Sequence, residues 1–263
     1  MKILELPLPF VTPRHVALPF RDAFGVPHGD RYLPMRDASE MNIATRASFG
    51  ALKFKRPHQA LALNEMRPLY AFSFNPYVID IRDQYPVYDQ KKYNEARMHG
   101  RPMSAEDVMT LDIILTLVLP PDYRLHYHAV SIKDGAAEFD DATKSRLQNE
   151  EKKIKARGWT YELLRGNQFD VLTWGNHAVM KTWITNVDVW RHYDEAATFA
   201  RRLLICSTRG TLDDIMNRHA RHLGISLDWC YELFAVATCF GFLYPDQREP
   251  LRTDKPLHLL WRT

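Results

Sequence analysis

The sequence predicts an α/β chain, with a mixed central sheet flanked by helices and a smaller helical unit after it. Three observations predict this. Two near-continuous apolar stretches, Val108–Leu119 and Leu125–Ile132, flank the turn signal Pro120-Pro121-Asp122 and read as neighbouring central strands. Helical periodicity stands on either side of them, at Gln59–Phe74 and Asp140–Arg157. Beyond residue 170, capped helices succeed one another and end in a hairpin-like tail.

Each element has its own warrant. Residues 1–44, rich in proline and arginine, read as an extended arm, and Gly50–Phe54 as a short strand. Leu61, Met66, Leu69, Tyr70 and Phe72 recur at three- and four-residue steps, so the first helix buries one face. Asn75-Pro76 ends that helix, because the residue before a proline is pushed out of the helical region. A strand is expected within Tyr77–Pro86, closed by Pro86, and residues 88–106 read as a loop with a short helix near Lys91–Met98. Asp140–Arg157 turns Ala142, Leu147 and Ile154 inward, with Gly158 as its C-cap and a strand following over Trp159–Leu164. Thr211 and Asp214 form a near variant of the capping box, and that helix runs to His222. Ser226 caps the next helix, Leu227 to about Phe240, and Gly241 closes it. Phe242–Tyr244 and Leu257–Trp261 complete a hairpin. Helix, turn, helix, hairpin is the grammar of a winged helix. The domains expected are therefore 1–44, 45–168 and 170–263.

Composition sets outer limits. The 263 residues are 46% hydrophobic and 25% charged, enough for a core and ordinary for a globular protein. The net charge of +3 permits a polyanionic partner without demanding one. Cys206, Cys230 and Cys239 are odd in number and form no CxxC pair, which speaks against a disulfide framework or a structural zinc site. His126 and His128 alternate on one strand with no metal spacing. No signal peptide or membrane-spanning run is read, so a cytoplasmic protein with no membrane partner is expected.

The chemistry-bearing residues are three. Glu65 lies on the first helix, Asp112 lies in the first long strand, and Lys133 ends the second. Hydrolysing a phosphodiester needs an activated water and positive charge against the phosphorus; carboxylates holding magnesium, with a lysine nearby, supply both. An acid inside Thr110-Leu-Asp-Ile-Ile costs free energy unless it is paired or metal-bound. Glutamate on a helix, aspartate on a strand and lysine on the next strand is the order found in restriction-endonuclease-like cores.

The local text is more specific. Val78-Ile-Asp-Ile-Arg-Asp-Gln-Tyr-Pro86 resembles the V-x-D-I-R-E-Q-(F/Y)-P signature of TnsA proteins, the endonuclease subunits of heteromeric transposases. Val108-Met-Thr-Leu-Asp112 is similar to the family's V-M-(S/T)-T-D strand, and Glu65 stands at the spacing of its catalytic glutamate. Arg146-Leu-Gln-Asn-Glu150 resembles its L-x-x-E helix ahead of a tryptophan strand. The likeness covers about residues 45–165 well and 205–263 loosely. It implies a magnesium-dependent endodeoxyribonuclease, with manganese substituting, that cuts one strand at transposon ends. It also implies three partners: double-stranded DNA, a TnsB-like transposase and a TnsC-like ATPase.

The resemblance assigns Glu65 and Asp112 to the metal and Lys133 to the attacking water. Where the family has glutamine, this chain has Ser131, and Leu111 replaces a threonine. Three replacements for the missing ligand stand open: Ser131 through a water, the Ile132 carbonyl, or Glu150 from the next helix. The first two together are preferred. Asp80 and Arg82 read better as a buried salt-bridge corner than as site residues, and Gln84 and Asp83 share the choice between support of the site and that corner. Lys53, Lys55 and Arg56 precede the Glu65 helix and are the candidate phosphate contacts; Lys152–Arg157 and Arg201-Arg202 read as solvated faces. Two rivals remain. One is a stand-alone restriction or repair nuclease. The other is a weakened nuclease-fold subunit that binds DNA without cutting.

Overall fold

The computed structural model describes residues 1–40, 46–135 and 138–260. The expected boundary at 44/45 and Trp261 lie outside them.

A four-stranded mixed sheet forms the centre, in the order β3 (Val78–Tyr88), β4 (Val108–Leu119), β5 (Arg124–Lys133) and β6 (Thr160–Arg165). β3/β4 and β4/β5 pair antiparallel, while β5/β6 pair parallel. The parallel step needs a crossover, and α3 (Asp141–Ala156) supplies it. α1 (Leu63–Ser73) covers one face, with Leu69 and Phe72 packed on Ile113, Leu115, Val130 and Ile132. α3 covers the other, where Ile154 joins Tyr85, Leu111, Ile114 and Ala129. β4 and β5 match the apolar runs that predicted them, because a strand buried on both faces is apolar throughout.

Several expectations are corrected. The strand expected at Gly50–Phe54 lies earlier, as β1 (Ala47–Gly50), which forms a separate antiparallel hairpin with β2 (Pro57–Ala60), and α1 starts later than Gln59. β3 continues through Pro86, which pairs with Thr110. It is an edge strand, where a proline removes no ladder bond from a second neighbour. Ala142 is exposed, while Leu147 and Ile154 are buried as expected. α2 (Gln90–Met98) is the short helix read near Lys91.

The N-terminal arm is part of the core. Ile3, Val26 and Tyr32 are buried on the sheet's two faces, and Asp22 reaches the buried Arg82 (2.6 Å) and Tyr85 (2.6 Å).

Four helices follow: α4 (Val171–Trp183), α5 (Tyr193–Ile205), α6 (Leu212–Leu223) and α7 (Leu227–Phe240). They surround a core of their own, to which Leu52 and Phe74 also contribute. The Thr211/Asp214 capping box is formed, and Gly224 and Gly241 close α6 and α7 in the left-handed conformation. α6 and α7 turn through 107°, as a helix-turn-helix does. The expected C-terminal hairpin is present as a minimal pairing among the described residues: Pro245 bridges Leu259 antiparallel, flanked by bonds from the Asp246 N–H to the His258 carbonyl (3.0 Å) and from the Leu260 N–H to the Tyr244 carbonyl (2.9 Å), and no full strand forms. No single helix among the described residues is long and apolar enough to cross a membrane.

Candidate active site

The site opens where β4 and β5 part. Their ladder ends at Ile113 with Val130, so Asp112 and Ser131 are the first residues beyond it. There a side chain replaces the lost backbone bond: the Ile132 N–H donates to Asp112 Oδ2 at 2.6 Å. The same oxygen accepts from Lys133 Nζ at 3.2 Å, and that ammonium also donates to the Ile132 carbonyl at 2.9 Å. Asp112 and Lys133 are each about one-fifth exposed, at 21% and 18%, so the pair borders solvent.

Glu65 arrives from the α1 face. It sits in the first turn of α1, which has no side-chain N-cap, and accepts the Leu61 N–H at 2.9 Å. Gln84 Nε2 donates to the same oxygen at 3.2 Å. Burial pushes the Glu65 carboxyl up to about 7, and the charge on Asp112 pushes it the same way; the Leu61 N–H and Lys133 offset only part of this. Asp112 and Lys133 thus both act by charge on the Glu65 carboxyl. The approach of α1 to the sheet end is close: a Cβ on Gly166, just after β6, would lie 2.7 Å from Asn64.

Gln84 is held at φ 51°, a left-handed conformation unusual for glutamine. Such outliers persist where surrounding structure over-determines them, and they collect at functional sites. The side-chain alternation of β4 slips here as well. Leu111 faces the α3 side with Ile114, while Ile113 faces the α1 side with Leu115.

From the α3 face comes Glu150. It is 5% exposed and accepts from Ser131 Oγ at 2.8 Å and from the Tyr161 hydroxyl at 3.3 Å. The preferred replacement for the missing ligand was Ser131 with the Ile132 carbonyl. The structure adds the third option to it, since a buried carboxylate stands directly behind the serine.

The acids of Val78–Pro86 are otherwise engaged. Arg56 binds Asp80 (3.1 Å) and Asp83 (3.3 Å), His58 Nδ1 lies 2.8 Å from Asp83, and the Gln59 N–H donates to Asp83 Oδ2 at 2.6 Å. Asp80 and Arg82 thus belong to buried ion pairs, in keeping with the salt-bridge corner. Arg56 and Lys53 are corrected as phosphate contacts: both are interior, and Lys53 Nζ donates to the Asn75 and Val78 carbonyls. Lys55 is exposed and lies 3.8 Å from Asp188. His58 and Asp22 were missed, and a lone buried histidine or an acid in an irregular arm gives no periodic signal. His128 is satisfied by Thr160 (2.8 Å) and Glu162 (3.1 Å), as a sheet histidine should be.

Among the described residues, no three Asp, Glu, His or Cys side chains gather into a ready metal cage. The donors present still suit a hard cation. They are two carboxylates, one of them raised in pKa by burial and then by the charge of the other, a backbone carbonyl, and a serine backed by an acid. Magnesium is commonly held by one or two carboxylates, with water and substrate completing its shell. No protein-family model and no curated protein sequence matches this chain.

Proposed function

We propose that this chain is a magnesium-dependent endodeoxyribonuclease of a transposition system, a TnsA-like subunit with a restriction-endonuclease-like core and a winged-helix-like C-terminal unit. It would hydrolyse one strand at transposon ends beside a TnsB-like transposase and a TnsC-like ATPase. The observation that carries the reading is the meeting of Glu65, Asp112 and Lys133, from three distant segments, at the open end of the sheet.

In this reading Glu65, Asp112 and the Ile132 carbonyl hold magnesium. The bound ion would lower the pKa of a water and offset charge at phosphorus. Lys133, held by Asp112 Oδ2 and the Ile132 carbonyl, keeps a positive charge at the mouth of the site. Gln84 fixes the Glu65 carboxylate, and Glu150 fixes the Ser131 hydroxyl and adds negative charge behind it. Lys55 remains the exposed candidate for a phosphate contact ahead of α1.

The test is cleavage of transposon-end DNA in magnesium with both partner subunits present. Asp112→Ala and Glu65→Ala are each expected to lose at least about 10²-fold in rate, with melting curves close to wild type. Retained cutting by both variants would refute the reading. Efficient cutting by the chain alone would favour the stand-alone nuclease.

A further inference from the structure

The end of α5, the loop after it and α6 gather arginines in one place, while the acids of α5, Asp194 and Glu195, stand at its other end. Residues 201–222 hold five arginines against two aspartates, a surplus equal to the +3 of the whole chain. Both aspartates are committed elsewhere. Asp214 closes the capping box with Thr211, and Asp213 accepts from Asn217 (3.0 Å) and Tyr231 (3.1 Å).

The arginines are brought together by the fold. Arg218 donates to the Ser207 carbonyl at 3.1 Å and the Arg209 carbonyl at 2.7 Å, which pins the α5–α6 loop and its Arg209 against α6. His219, buried below and 5.6 Å from the Phe199 ring, lies among Arg202, Arg218 and His222, and burial and these charges lower its pKa. Arg201, Arg209, Arg218, Arg221 and His222 are all exposed. Helix-end electrostatics accounts for Arg221 and His222 in the last turn of α6. Arg202 lies likewise in the last turn of α5, so this account leaves over Arg201 and the loop's Arg209.

The inward residues of α6 are apolar: Leu212, Ile215, Met216 and Ala220 are buried. Its exposed residues are Asp214, Arg218, Arg221, His222 and Leu223. A protein-binding surface would need an apolar or aromatic anchor, and the exposed large apolar residues of this face are two, Ile205 and Leu223, at the ends of the two helices and with no exposed aromatic beside them. α7 has the apolar residues but buries nine of them in the helical core, so it cannot enter a groove. The exposed side of this helix pair is α6, and its character is arginine with polar neighbours.

We propose that the α5–α6 face binds the phosphate backbone of double-stranded DNA, as a second contact of this chain with its substrate. The choice of DNA as the polyanion rests on the nuclease reading; the cluster itself does not. Contacts of this kind position a duplex and carry no sequence information.

The experiment measures binding of the full chain to a labelled duplex by anisotropy, with EDTA present, between about 50 and 200 mM salt. The variant is the triple Arg201→Gln, Arg209→Gln, Arg221→Gln, which spares the loop-pinning Arg218. Each phosphate contact contributes about 0.9 to the slope of log affinity against log salt. The triple variant is expected to lose roughly 2 to 3 from that slope, and affinity at least about tenfold. An unchanged slope, or no duplex binding by the wild type, overturns the proposal and leaves the face to an acidic protein surface. Asp112→Ala, tested in the magnesium cleavage assay with both partner subunits present, separates the two readings. If Asp112→Ala still cuts while the triple variant loses binding, the catalytic assignment falls and the DNA face stands.

Discussion

Two acidic clusters lie close enough for the charge of Asp83 to act on the Glu65 carboxyl, and their fates differ. Asp80 and Asp83 are surrounded by Arg56, His58 and the Gln59 N–H, and their carboxylates are fully enclosed. Burial alone would raise the Asp83 pKa, but the hydrogen bond and charge of His58, with Arg56, hold it below the usual range. Glu65 and Asp112 lie nearby with less compensation: one lysine at the edge, one glutamine and two backbone N–H groups. There burial and the neighbouring acid win, and Glu65 is pushed up to about 7. The same residue types thus serve two ends. A compensated cluster fixes the sheet to β2, and an under-compensated one is left in want of a cation.

The comparison breaks first at Asp83. Asp83→Ala takes the partner from buried His58 and the Gln59 N–H and one of two acids from Arg56, and should cost about 3–5 kcal/mol of stability, read by denaturant unfolding. A loss under 1 kcal/mol would mean the enclosed cluster is not structural. The open cluster should respond to pH instead. The folded protein binds the Glu65 proton more tightly than the unfolded chain does. Its contribution to stability is present in full below the ordinary value of 4.5 and is lost as pH rises through about 7. Without metal, up to about 3 kcal/mol should disappear across that window, and Glu65→Gln should flatten it. Equal slopes in wild type and variant would remove the strain from this site.

Smaller effects sharpen the picture. Glu150→Gln keeps a partner for Ser131 but removes the charge, so magnesium-dependent cutting should fall about tenfold, the lower end for supports of metal ligands. No change would make Glu150 a packing residue. Gln84→Gly relieves the left-handed strain, for a gain of about 1 kcal/mol in stability, while loosening Glu65 and lowering activity. A loss of stability would show that the amide, and not the backbone, governs this position.

Much of this was legible in the sequence, for identifiable reasons. β4, β5, α3, α6 and α7 announce themselves through apolar runs and caps, signals carried by neighbours in the chain. The Glu65, Asp112 and Lys133 set was legible because order and spacing suffice to propose a meeting point. β2 was not, since its buried His58 and Gln59 are polar and are satisfied by Asp83, about 25 residues away. Lys53 and Arg56 misled for the same reason: a basic run reads as surface until its acids, far along the chain, fold over it. The hairpin expected after Phe240 shrinks to one bridge with two flanking backbone bonds, because a polar turn between short apolar pairs does not specify a longer ladder. Glu150 was a candidate, but only packing of α3 on β5 could place it behind Ser131.

The central claim is that Glu65 and Asp112 share one divalent cation. Thermal unfolding in magnesium against EDTA, at about one pH unit above the raised Glu65 value, tests it most directly. The account predicts a rise in melting temperature for wild type that grows with magnesium concentration and is abolished in both Asp112→Ala and Glu65→Gln, while a folded Arg56→Lys variant keeps it. An equal rise in wild type and Asp112→Ala, or no rise in wild type, would contradict it.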